Sequence, residues 1–230
     1  MGHIHAGEAH GIGVLAYASG EKYKGEFFGD MRCGRGVCYY PNGAKFAGHW
    51  ERNMHQGFGI FVAPGGCERY TGHWQNDKKN GYGRYIFANG DVYDGDFIRD
   101  QAWGQGIYRY ATSGGGAGNC YVGSWEADRR HGNGVLHWKN GSRYEGYWKA
   151  GNIEGKGLFH YACGDCYRGE FQANKKHGRG VYTWANANEF TGHFHNGLIE
   201  GFGEMTYKTT GHRFKGYWKN NQKHGMGTFR

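Results

Sequence analysis

YVGSWEADRRHGNGVLHWKNGSRY, residues 121–144, decides how the chain is read. It runs aromatic, any, Gly, any, aromatic, then a polar run, then Gly-x-Gly, an apolar tail and Asn-Gly. Tyr144 opens the same pattern again as YEGYWKAGNIEGKGLFHYACGDCY, 23 residues on. A period of this length marks a repeat architecture, and both fold and function follow from the repeat rather than from any single motif.

Working outward, the leading aromatic recurs at Tyr23, Phe46, Tyr70, Tyr93, Tyr121, Tyr144, Tyr167, Phe190 and Phe214, at intervals of 23, 24, 23, 28, 23, 23, 23 and 24 residues. Gly11 and Gly13 stand one period before Gly34 and Gly36, which adds a tenth unit at the amino end. The expected organisation is one continuous array over 1–230: a partial repeat at 1–22, repeats over 23–111, a glycine-rich insertion at 112–119 (TSGGGAGN), repeats over 120–213 and an incomplete repeat at 214–230. The insertion reads as a longer connection between copies.

Each copy reads as a β-hairpin. Tyr144, Gly146 and Trp148 alternate onto one face, as do Gly155, Gly157, Phe159 and Tyr161 after the reversal. Polar runs such as Glu126–Arg130 and Asn174–His177 supply the turns. Opposed residues of an antiparallel pair share a face, so the Trp148 ring is expected over Gly155 or Gly157, covering bare backbone. The predicted fold is all-β: an elongated, solenoid-like, single-layer antiparallel sheet of about ten tandem 23-residue hairpins, each stabilised by its neighbours.

Composition agrees. Glycine supplies 46 of 230 residues and proline two, while 17% aromatic residues exclude a disordered chain. Six cysteines at irregular repeat positions read as reduced thiols of a cytoplasmic protein. The net charge of +8 belongs to the second half: residues 1–120 carry 12 Lys and Arg against 11 Asp and Glu, residues 121–230 carry 16 against 9. No His-Glu-x-x-His, Gly-x-Ser-x-Gly or phosphate loop is present, so the residues argue against an enzyme.

Tyr-x-Gly-x-Trp/Phe followed by Gly-x-Gly and Asn-Gly at this period resembles the MORN repeat, the membrane occupation and recognition nexus module, over essentially the whole chain. Ala187, where other copies have the turn glycine, is one departure. The resemblance implies a non-catalytic repeat surface used for scaffolding, peptide binding or association with lipid. It also implies a cytoplasmic, cytoskeletal or membrane-peripheral setting.

Four groups of residues are candidates for that work. Phe58, Ile60, Ile107, Leu158 and Phe202, with Met226, fall on the face opposite the glycines and are expected to form a groove for protein partners. Lys78, Lys79, Arg129, Arg130, Lys175, Lys176 and Lys223 are read as turn residues forming a basic edge for acidic phospholipid or phosphoinositide. Gly225, Met226, Gly227, Thr228 and Phe229 form an uncovered apolar strand, the expected homodimer edge. His160, Cys163 and Cys166 make an H-x-x-C-x-x-C set with three zinc-type ligands and no evident fourth; ordinary reduced loop thiols are the alternative, with no cofactor at all. Nucleic acid is not expected, because the aromatic side chains are assigned to the glycine face and the basic edge is not interleaved with exposed rings. The leading expectation is a self-associating, cytoskeleton-associated scaffold; the alternative is a peripheral membrane adaptor.

Overall fold

In a computed structural model that describes residues 3–5, 8–112 and 116–230, every regular element is a β-strand. Residues 113–115 of the expected insertion, and residues 1, 2, 6 and 7 of the first partial repeat, lie outside the described residues. The chain divides into two compact units, Met1–Ala117 with Glu126–Asp128, and Gly118–Trp125 with Arg129–Arg230.

The first unit holds β1 (His3–His5), β2 (Glu8–Ala16), β3 (Lys22–Phe28), β4 (Met31–Tyr39), β5 (Lys45–Glu51), β6 (Met54–Val62), β7 (Arg69–Gln75), β8 (Lys78–Ile86), β9 (Val92–Ile98) and β10 (Gln101–Arg109). Each strand pairs antiparallel with the next in sequence. The second unit holds β11 (Cys120–Glu126), β12 (Arg129–His137), β13 (Arg143–Lys149), β14 (Asn152–His160), β15 (Cys166–Gln172), β16 (Lys175–Thr183), β17 (Glu189–His195), β18 (Leu198–Thr206), β19 (Arg213–Lys219) and β20 (Gln222–Phe229). From β12 to β20 the same next-neighbour pairing runs unbroken.

The reversals are shorter than the polar runs suggested. From β3–β4 onward each hairpin closes on two residues with positive φ, such as Ala173 (46°) and Asn174 (65°). That is the mirror-image turn whose twist matches the strands. The charged residues beyond it belong to the following strand. The second turn residue also ties its hairpin to the one before. Asn174 N–H donates to Ile153 O at 3.1 Å, while Asn174 Oδ1 accepts Ile153 N–H at 2.8 Å. Asn53 on Arg32, Asp77 on His55, Asp100 on Lys79 and Asn221 on Ile199 repeat this two-bond clamp.

The core is a ladder of rings on one face. In the second unit Tyr144 meets Trp148 edge-on at 5.3 Å and Phe171 at 5.2 Å; Tyr167 meets Phe171 at 5.1 Å and Phe194 at 4.9 Å. Every leading aromatic from Tyr23 to Phe190 is at most 2% exposed. Edge-to-face pairs contribute about 0.5–1.5 kcal/mol each beyond the area they bury, so the ladder couples each copy to the next.

The glycines are covered as expected, but by a different ring. Gly146 pairs with Gly157, and the next pair is Trp148 with Ile153, so β13 advances two residues while β14 advances four. This bulge, with Gly155 at φ +65°, carries Trp148 past the glycine pair. Tyr144 lies there instead: a Cβ on Gly157 would sit 2.5 Å from its Oη and Cε2. Trp148 stands opposite Gly132 on the other side, and its indole N–H donates to Gly134 O at 3.3 Å.

Candidate functional site

Alternation places the second residue of each following strand on the ring face, and this governs the basic residues. Lys79, Arg130, Lys176 and Lys223 are therefore strand residues turned onto the rings, a correction to their assignment as outward turn residues. Lys79 Nζ lies 4.3 Å from the centre of the Tyr85 ring, Lys176 Nζ 4.3 Å from Tyr182, Arg130 Cζ 4.2 Å from Trp148 and Lys223 Nζ 4.5 Å from Phe214. Arg32, which sequence reasoning passed over, does the same with Trp50 at 4.4 Å. A cation over a ring face is attracted by its quadrupole while its methylene stem covers apolar surface. Burial pushes the ammonium pKa of Lys79 and Lys176 below the ordinary lysine range. The sequence signal was the neighbouring copies: Ala102, Ile153 and Ile199 hold the same position and are buried.

Lys78, Arg129 and Lys175 remain on the outside, where Lys78 Nζ lies 2.8 Å from Asp100 Oδ2. The seven cations thus divide between an inner set on the ladder and an outer set of three.

The opposite face of each unit is open. In the first unit it carries Phe58, 55% exposed, with Ile60 and Ile107 partly covered. A shallow cavity of about 860 Å³ there is lined by Ile12, Lys24, Arg35, Val37, Phe58 and Ile60 among others. In the second unit the same face carries Leu158 and Phe202, the latter 45% exposed. A cavity of about 740 Å³ beside Phe202 is lined by Arg179, Val181, Thr191, Glu204 and Lys215 among others. Two ionic pairs lie on this second surface, Arg213 with Glu204 at 3.6 Å and Arg143 with Glu145 at 2.6 Å.

β20 pairs with β19 through Phe214–Phe229, Lys215–Thr228 and Gly216–Gly227. Gly225, Met226, Gly227, Thr228 and Phe229 are all exposed, Met226 by 86% and Phe229 by 57%. His160 ends β14 opposite Cys166, and Cys163 sits exposed in the turn between. Among the described residues no three His, Cys, Asp or Glu side chains converge to hold a metal, so this set is not brought together. The Cys163 thiol lies instead beside Asp165, whose carboxylate is held below the ordinary range first by the Tyr182 hydroxyl, then by the Ala185 N–H and the Cys163 thiol, against the opposing effect of burial.

A family model described as MORN repeat matches ten segments: 1–22, 23–45, 46–68, 70–92, 93–114, 121–143, 144–166, 167–188, 190–211 and 214–230. No curated protein matches the chain. Among solved structures, the TCP domain of SAS-4 (dCPAP) from Drosophila melanogaster, in complex with a proline-rich motif of Ana2, is similar with TM-score 0.36 and 11% identity, over 95% of this chain and 88% of that one. The TCP10 domain of CPAP from Danio rerio gives TM-score 0.37 and 10% identity over 94% and 98%. Virginiamycin B lyase from Staphylococcus aureus gives 0.17 and 9% over 95% and 69%. At such scores these structures are no guide to this chain's partners.

Proposed function

The chain belongs to the MORN-repeat family, and from that membership we propose that it is a non-catalytic scaffold that receives protein partners on the face opposite its aromatic ladder. One observation carries the reading. Each unit satisfies its rings on one side, yet leaves a large aromatic side chain, Phe58 or Phe202, standing beside an open cavity on the other. An exposed ring in a concave, mixed apolar and polar surface is what an anchoring contact requires. Phe58→Ser and Phe202→Ser variants, checked for folding by circular dichroism, are expected to lose most partners recovered with the parent protein by quantitative affinity purification. Recovery of the same partners at the same yield ends this reading.

Self-association is a second component of the proposal, supported by β20, which among the described residues pairs only with β19 and exposes Met226 and Phe229. Strand addition across this edge by a second copy accounts for it. Light scattering at micromolar concentration should give a dimer that Met226→Glu with Thr228→Pro reduces to monomer. A cytoskeletal assembly is the setting we propose for such a scaffold.

The competing proposal is acidic lipid. No helix among the described residues is long and apolar enough to cross a membrane. For peripheral attachment the outward set offers Lys78, Arg129 and Lys175. Flotation with acidic vesicles decides between the readings, since an electrostatic adaptor must float and release as salt rises.

A further inference from the structure

On the open face of the first unit, the residues just before each leading aromatic and at the end of each following strand form one row across the sheet. Lys22 pairs with Tyr39, Tyr39 with Lys45, Lys45 with Val62 and Val62 with Arg69. Cation and apolar side chain alternate strand by strand. Lys24 and Arg35 add two more cations beside the cavity that Ile12, Val37, Phe58 and Ile60 line. All five of these basic residues are exposed.

What they share is the lack of an acidic partner: Lys45 Nζ lies 5.3 Å from the centre of the Tyr39 ring and Arg69 Nε donates to Thr71 Oγ1 at 3.3 Å, both uncharged groups. Among the described residues none of Lys22, Lys24, Arg35, Lys45 and Arg69 forms an ion pair. Further along the same face Arg84 and Arg109 share Asp94, at 3.8 and 2.7 Å. The acids of β3–β7 are engaged or placed elsewhere: Glu26 accepts the Arg35 N–H at 2.8 Å, Glu51 closes β5 beside its turn, and Glu68 bonds Tyr85 on the ladder face. The strip of Lys22, Lys45 and Arg69 is thus positive, interleaved with apolar side chains and free of ion pairs over five strands, while Glu26 is, among the described residues, the one carboxylate beside Lys24 and Arg35.

We infer that this strip of the first unit is the docking track for an acidic, apolar-studded protein segment. The inference rests on the scaffold reading above and names the partner's chemistry. Alternate strands lie about 10 Å apart, which matches the rise of roughly 10.5 Å between every seventh residue of a helix. A helix with acids at that interval and leucine-like side chains between them would meet cation and apolar contacts in turn. Apolar residues between the cations favour such a segment over a polynucleotide, whose sugar-phosphate backbone has nothing to place against Val37, Ile60 and Val62. Charge complementarity of this kind sets partner choice and encounter rate.

Fluorescence anisotropy tests it with two labelled synthetic helical peptides that share their leucines, one with Glu at every seventh residue and one with Lys there. Labelled oligo-dT and phosphatidylserine vesicles are run at the same salt. The Glu peptide is expected to bind at least tenfold tighter than the Lys peptide. A Lys22→Glu, Lys45→Glu, Arg69→Glu variant should weaken it at least tenfold, while Arg179→Glu with Lys215→Glu in the second unit should change it less than twofold. Should the charge reversal unfold the protein, Lys45→Gln with Arg69→Gln takes its place and should weaken binding at least threefold. No binding by either peptide, equal binding by both, indifference to these variants, or tighter binding of oligo-dT or vesicles overturns the inference. Leucine-dependent binding that ignores charge but is lost in Phe58→Ser removes only the acidic specificity. Indifference to Phe58→Ser as well removes the groove.

Discussion

Tyr144 lies flat across Gly157, so close that a methyl group on that glycine would stand 2.5 Å from the phenol oxygen. Neither group can give way. The ring is wedged edge-on between Trp148 and Phe171, and its hydroxyl donates to Tyr147 O at 3.1 Å. Gly157→Ala should therefore destabilise the second unit by about 1–3 kcal/mol, the usual cost of overpacking a fixed site. Tyr144→Phe keeps the ring and loses one hydrogen bond, so it should cost only about 1 kcal/mol. Urea denaturation checks both, and an equal loss in the two variants would mean that hydrogen bonding rather than ring-on-backbone packing dominates there.

The turn clamp yields a gain as well as a loss. Asn174→Ala removes the acceptor for the Ile153 N–H and should cost about 1 kcal/mol. Gly197 occupies the same place in its turn and makes the backbone bond to Lys176 O at 2.8 Å, but has no side chain to return the second. Gly197→Asn should raise stability by about 0.5–1 kcal/mol, since Asn tolerates the left-handed turn conformation and Asn220–Asn221 already forms this turn one copy later. Thermal and urea midpoints should move in opposite directions for the two substitutions.

These clamps show where sequence reading reaches and where it stops. The hairpins, the ladder face and the glycine cover follow from alternation and from a fixed period, because a side chain's face depends only on parity. Register does not. The two extra residues at Gly155–Lys156 keep parity and so leave no trace in the pattern, yet they shift the tyrosine over the glycines and the tryptophan beyond them. Parity could have placed Lys79 and Lys176 inward, once their copies were aligned with Ala102 and Ile153. Charge alone points outward, whereas a long aliphatic stem under a cation fits a ring-lined face. The Asn and Asp of the turns were legible as turn formers; their bond to the previous copy was not, since it depends on strand stagger.

Ala187 is the one alanine placed where most other copies use the glycine of the longer connection. Its φ is +65°, and its N–H donates to Trp184 O at 2.8 Å, as Gly164 does to Tyr161 at 2.9 Å. An L-residue with a Cβ holds this conformation at a cost of about 1 kcal/mol, which glycine avoids and only partly returns as chain entropy. Ala187→Gly should stabilise the second unit by about 0.5 kcal/mol, with no change in circular dichroism. Unchanged or lower stability would show that the turn carries no strain.

His55 makes the first unit sensitive to acid. It stacks on Phe46 at 3.7 Å, in the position that Arg32 and Lys79 fill in adjoining copies, with the Tyr40 hydroxyl 2.9 Å from Nε2. Burial pulls its pKa down to about 4; Asp77, with Oδ1 3.2 Å from Nδ1, opposes that shift, and the Arg32 charge adds to it. The imidazole is thus neutral when folded, and the unfolded chain takes up a proton near pH 6.5. Stability is full above that value, falls as the pH drops from 6.5 towards 4, and changes no further through this group below it. The loss is at most about 3.5 kcal/mol, from a fall of about 2.5 in pKa at about 1.4 kcal/mol per unit. His55→Gln removes the proton site and should flatten the urea midpoint across that interval, whereas the parent midpoint declines. A parent profile already flat between pH 6.5 and 4 would mean that the ring opens to water and protonates in place.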